Sequence, residues 1–142
     1  MAKEEALFTH ETTVTAEFYD VDSMNVVWHG NYVKFMEVAR CALLDEIGYG
    51  YKEMAKDGYA FPITTLKIKY VRSLYFAQKA KVKTELLSYE NMLKIRYEIY
   101  NEEGVLLTKA ETTQMAIKLG TTSGEFVTPE RFRKLVESKI QK

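Results

Sequence analysis

The chain carries two hydrophobic periods, and the switch between them outlines its architecture. From residue 30 to 47, Tyr32, Val33, Phe35, Met36, Val38, Ala39, Ala42, Leu43, Leu44 and Ile47 are interrupted by the charged Lys34, Glu37, Arg40, Asp45 and Glu46 alone. Apolar side chains at this spacing predict a helix over 30–47 that is buried on several sides. Gly48 follows as a natural C-terminal stop. Residues 51–56 predict a short amphipathic piece.

Beyond residue 65 the period falls to two. Leu66, Ile68 and Tyr70 alternate with Lys67 and Lys69. Ala80, Val82, Thr84 and Leu86 alternate with Lys79, Lys81, Lys83 and Glu85, and Leu93, Ile95, Tyr97 and Ile99 with Lys94, Arg96 and Glu98. Residues 105–119 form a fourth long run. One apolar and one polar face per strand predict an antiparallel sheet wetted on one side. Glu90-Asn91 and Asn101 to Gly104 are hairpin candidates. Ahead of the helix, residues 12–20 predict a strand rich in Thr and aromatics. Near the end, Thr128 as N-cap and Pro129 at the first helical position predict a short helix over 129–139.

The order is strand, long apolar helix, then four antiparallel strands. One apolar helix must be covered by one sheet face, and the sheet must curl to cover it. The predicted class is therefore α+β: a hotdog fold, with a curled antiparallel sheet of about five strands around one long central helix and a short C-terminal helix. A single copy leaves the helix flank and a sheet edge uncovered, so a homodimer or homotetramer is expected.

At 142 residues the chain is expected to form one domain, 1–142. Ten tyrosines and seven phenylalanines favour strands and apolar pockets. No secretory signal and no run of about 18 apolar residues is seen. A single cysteine, Cys41, excludes an internal disulfide and fits a reducing cytoplasm. The net charge of zero is unevenly spread, with nine acids against three bases in residues 1–47 and eleven against seventeen in 48–142. The surplus lies in the strands, at Lys67, Lys69, Arg72, Lys79, Lys81, Lys83, Lys94 and Arg96. It reads either as a solvated sheet face or as an electropositive region for a phosphate-bearing ligand. No arginine-rich run points to nucleic acid.

The candidate chemistry lies between the first strand and the helix. Asp20 and Asp22 form an Asp-x-Asp pair, followed by Val27, Trp28, His29, Gly30, Asn31 and Tyr32, then by Glu37 and Arg40 on the helix. With Tyr70 and Arg72 further on, this pattern resembles the 4-hydroxybenzoyl-CoA thioesterase family, including its YbgC-type acyl-CoA thioesterases, over roughly residues 12–135. The chain has Met24 and Asn25 where the family often has Gly, and Ser73 where it often has Pro. The resemblance implies hydrolysis of an acyl-CoA thioester to a carboxylic acid and CoA, with Asp22 as the catalytic carboxylate and CoA as substrate rather than cofactor.

Physical chemistry fits these roles. The first backbone N–H groups of a helix lack intrahelical partners and carry the positive end of its dipole. Those around His29, Gly30 and Asn31 can polarise a thioester carbonyl and hold its oxyanion. Asp22, expected at a strand end facing the helix start, can attack the carbonyl or activate water. Plainer readings stand beside these. Asp22 can be a turn aspartate, Asp20 a loop holder and Asn31 a helix cap. Tyr32 can be pocket wall or core, Glu37 and Arg40 a structural ion pair, and Cys41 core.

With His10 and His29 the only histidines, no metal spacing exists, and neither a Gly-x-Ser-x-Gly elbow nor a Gly-rich phosphate loop appears. The CoA phosphates would fall to scattered cations, Arg72, Lys94 and Arg96 being the candidates. Alternatives are an acyl-carrier-protein thioesterase, a non-catalytic binder of acyl-CoA or of a protein, and a dehydratase.

Overall fold

The computed structural model describes residues 4–140. Strand β1 (Phe8–Thr15) leads through a one-turn 3-10 helix (Phe18–Asp20) into α1 (Asn31–Ile47), then α2 (Tyr51–Lys56) and the two-residue strand β2 (Tyr59–Ala60). There follow β3 (Ile63–Tyr70), β4 (Lys79–Ser88), β5 (Leu93–Asn101), β6 (Leu106–Gln114), the short β7 (Ile117–Lys118) and α3 (Glu130–Ile140). Five strands form one open antiparallel sheet in the order β1-β4-β5-β6-β3, and β2 pairs with β7. The hotdog arrangement is thus present, with α1 lying against β1 and β4.

The two periods meet in the core. Ala39, Leu43 and Leu44 of α1 are fully buried with Val82 and Leu86 of β4 and Leu93, Ile95, Tyr97 and Ile99 of β5. Burying each large side chain contributes roughly 1.5–3 kcal/mol. The guanidinium of Arg40, 3% exposed, is held inside by Tyr51 Oη at 2.9 Å, Tyr97 Oη at 3.3 Å and the Glu37 carboxylate. Tyr97 Oη in turn lies 2.8 Å from Thr112 Oγ1. A second cluster, Tyr49, Phe61 and Phe132, docks α3 with ring centroids 5.3–6.3 Å apart.

Several boundaries differ from expectation. The first strand ends at Thr15 rather than residue 20, because the Asp20 carboxylate accepts the Glu17 N–H at 2.9 Å and Asp20 N–H donates back to the Glu17 carbonyl at 2.9 Å. That local pairing closes a turn where a strand would need cross-strand partners. The run 105–119 breaks after Gln114, whose side-chain amide donates to the Phe61 carbonyl at 2.5 Å. Thr128 does not cap α3; its hydroxyl lies 2.6 Å from the Tyr89 carbonyl and tethers the helix entry to the β4–β5 turn. The Asn101–Gly104 turn forms as expected, with Asn101 Oδ1 accepting the N–H groups of Glu103 and Val105 and Gly104 at φ +81°.

The largest departure concerns β3. Alternation placed Leu66 and Tyr70 on a buried face, yet Leu66 is 41% and Tyr70 44% exposed. Within α1, Val38 is also exposed, so burial on several sides is incomplete in a single copy. The cause is geometric: β3 is an edge strand, and α1 covers the β1–β4 half of the sheet.

Candidate active site

The loop between β1 and α1 is built on Asp20. Its side chain is 1% exposed; beyond the Glu17 N–H it takes an ion pair from Lys34. Its backbone carbonyl accepts Trp28 N–H at 3.0 Å and Asn31 Nδ2 at 2.9 Å. One residue thereby ties the outgoing limb of the loop to the returning limb and to the first turn of α1. Asn31 is no helix cap: its side chain crosses to Asp20, and α1 has no side-chain cap bond.

Asp22 has a different setting. Val21 and Val27 form an isolated antiparallel bridge, and Asp22 N–H donates to the Val26 carbonyl at 2.9 Å, closing a tight turn with Asn25 at φ 66°. Asp22 therefore sits at an exposed loop tip, not at a strand end. Its Oδ1 accepts Met24 N–H at 2.8 Å, which fixes the carboxylate and leaves Oδ2 without a protein partner among the described residues. Phe18, Tyr19, Met24, Trp28, Tyr75 and Phe76 of this loop and of the segment after β3 are all exposed, and Phe18 meets Phe76 edge-on at 6.1 Å.

The returning limb delivers the helix start. Asn31 N–H is already spent on the Trp28 carbonyl at 2.8 Å, which corrects its expected place in the oxyanion site. The N–H groups of His29 and Gly30 find no acceptor among the described residues. The Trp28 indole packs across Gly30, so a side chain there would have to displace this half-exposed ring, while the backbone angles of Gly30 suit any residue. Beside this start lies a depression of about 170 Å³ lined by Val27, His29, Tyr32, Tyr70, Val71, Arg72 and Ser73. Tyr32 is buried, its Oη accepting Leu74 N–H at 3.0 Å, and burial pushes its hydroxyl pKa up. It therefore holds the wall in place and keeps its proton.

The structure brings His29, Tyr32 and Arg72 around one depression, with Gly30 and Asn31 adjoining, while Asp22 stands on the opposite limb of the same loop and does not line it. Lys94 and Arg96 are not brought there. They alternate with the core residues Leu93, Ile95 and Tyr97 and so face away from α1. Lys94 pairs with Glu4 at 2.5 Å, and Arg96 with Glu85 at 3.0 Å, a hydrogen bond that raises its pKa. Acids of the N-terminal part, Glu4 and Glu11, thus lie against bases of the strands, Lys94 and Lys81, which offsets a part of the charge split. Tyr70 was read as part of an apolar strand face and of the family pattern, with no role of its own. Its place in the depression depends on a contact with a residue 41 positions away, which no local pattern announces. Among the described residues, no three His, Cys, Asp or Glu side chains group to hold a metal, and no helix is long and apolar enough to cross a membrane.

Residues 16–137 match the family model of the thioesterase-like superfamily, and the chain belongs to that family. It is 31% identical over 122 residues, 85% of each chain, to YneP of Bacillus subtilis, provisionally named an acyl-CoA thioesterase. Over 105 residues it is 26% identical to the acyl-CoA thioester hydrolase YbgC of Escherichia coli, covering 73% of this chain and 78% of that one. Its structure superimposes on that of a DHNA-CoA thioesterase from Staphylococcus aureus with a TM-score of 0.81 and 32% identity, covering 94% of this chain and 91% of that one.

Proposed function

We propose that the chain is an acyl-CoA thioesterase in which Asp22 activates water and the start of α1 holds the oxyanion. The observation that carries this reading is one loop presenting two complementary groups: a fixed carboxylate with a free oxygen, and unpaired N–H groups at a helix N-terminus. Asp22 takes a proton from water as the oxygen bonds to the thioester carbonyl carbon. The carbonyl oxygen gains charge beside the N–H groups of His29 and Gly30. Collapse of the tetrahedral species breaks the C–S bond, and the departing CoA sulfur takes the proton back, leaving a carboxylic acid and free CoA. Drawn this way, the reaction uses no metal and no organic cofactor. Arg72 lines the depression, and in this reading it meets a phosphate of CoA.

The same reading calls for a second copy. An edge strand exposed on both faces is a template for pairing, and β3 is such a strand. Antiparallel pairing of β3 with its own two-fold mate sets the start of one copy's strand beside the Tyr70 end of the other. The apolar hollow of about 360 Å³ around Met54, Tyr59, Phe61 and Ile117 then adjoins the depression and offers room for an acyl group. Sedimentation should give a dimer or tetramer for the wild type and a monomer for Leu66→Lys; a wild-type monomer with full activity contradicts this assembly. We propose a reducing cytoplasm as its compartment, in which the free Cys41 would stay a thiol.

The experiment that tests the function is thiol release measured over short, long and aromatic acyl-CoAs and an acyl-carrier-protein thioester. Release from CoA thioesters is expected. Release from the carrier substrate alone moves the assignment to the carrier-protein reading, and release from none favours a binding module.

A further inference from the structure

We infer that Tyr70 is a positioning residue for the oxyanion site, acting through the peptide group that joins His29 to Gly30. The inference rests on the hydrolase reading above. Tyr70 Oη donates to the His29 carbonyl at 2.9 Å. That carbonyl and the Gly30 N–H are opposite ends of one planar trans peptide, so fixing the oxygen fixes the direction of the N–H. The helix holds the same oxygen only weakly, through Tyr32 N–H at 3.4 Å, so the tyrosine hydroxyl is its principal partner.

The bond also acts electronically. Donation to an amide oxygen polarises the group and strengthens its N–H as a donor, by about 10–30% in condensed phase. Gly30 N–H is one of the two donors at the helix start with no acceptor among the described residues. Tyr70 is well held for this task. It ends β3 opposite Thr108, and the next two N–H groups, of Val71 and Arg72, both donate to the Leu107 carbonyl at 2.8 and 3.0 Å. Its ring meets those of His29 and Tyr32 edge-on, with centroids 6.0 and 5.4 Å away. The sheet thereby sets the angle of a peptide at the helix start.

Tyr70→Phe removes the hydroxyl and keeps the ring contacts. Two readouts on the full-length protein separate positioning from packing. In NMR spectra, the His29 carbonyl carbon and the Gly30 amide nitrogen should shift while resonances in β4 and β5 stay in place. In the thiol-release assay, kcat should fall about 10-fold with KM changing less than twofold, the pattern of an interaction made in the transition state. A variant with unmoved His29 and Gly30 resonances, or one with wild-type kcat, overturns the inference while leaving the hydrolase reading intact. A wild type that releases no thiol from any substrate overturns both.

Discussion

Asp20 and Asp22 stand two residues apart and live in opposite surroundings. Asp20 is enclosed, with a backbone N–H and a lysine on its carboxylate and two further donors on its carbonyl. Asp22 is exposed at the loop tip, with one oxygen fixed by Met24 N–H and the other open. An oxygen whose lone pairs are committed to structure cannot take a proton from water without releasing what it holds. The difference gives one aspartate an architectural place and supports the proposed chemical role of the other, although the side chains are identical.

Stability measurements can break that division. Asp20→Ala deletes a charge-assisted bond to Glu17 N–H and should cost about 1.5–3 kcal/mol, a fall in Tm of roughly 5–10 °C. Little of this comes from Lys34, whose side chain is 45% exposed and readily rehydrated. Asp22→Asn keeps an acceptor for Met24 N–H and should change stability by about 0.5 kcal/mol or less. Equal losses at the two positions would erase the distinction.

A third carboxylate gives a smaller, pH-dependent effect. Asp57 accepts bonds from Arg131 at 2.9 Å and Tyr49 Oη at 2.9 Å, and the Arg131 bond is the largest cause holding its pKa below the usual range. A carboxyl whose pKa is lower folded than unfolded contributes stability above its unfolded value, near 3.9. That contribution is lost as pH falls through the folded value. Urea unfolding of wild type and Arg131→Met should therefore differ at neutral pH and converge in acid. A gap that stays constant down to pH 2 would show that Asp57 is not involved.

The sequence was most legible where periodicity and burial coincide. In β4 and β5, and along α1 apart from Val33, Val38 and Ala42, the apolar positions are the core positions, and a repeat of 3.6 or 2 announces them. The β3 alternation was equally visible, but a period marks which residues share a face and not whether anything in the same chain covers it. The Asp-x-Asp loop was recognisable as a pattern; its shape was not, because the bonds that end β1 at Thr15 are local and outweigh the strand propensity of Phe18 and Tyr19. Lys94 and Arg96 were visible as cations, but their partners Glu4 and Glu85 reach them only through tertiary placement. Tyr70 and His29 meet for the same reason, across 41 residues of chain.

The central claim, that Asp22 carries the chemistry and Asp20 the loop, is tested most directly by thiol release from an acyl-CoA at saturating substrate. Wild type, Asp22→Asn and Asp20→Asn should be compared at a temperature where all three are folded. Asp22→Asn should lose at least about 10²-fold in kcat, equivalent to about 2.7 kcal/mol of transition-state stabilisation. Asp20→Asn, which keeps an oxygen for the Glu17 N–H, should lose far less. Full turnover in Asp22→Asn, or a greater loss at Asp20 than at Asp22, would contradict the account.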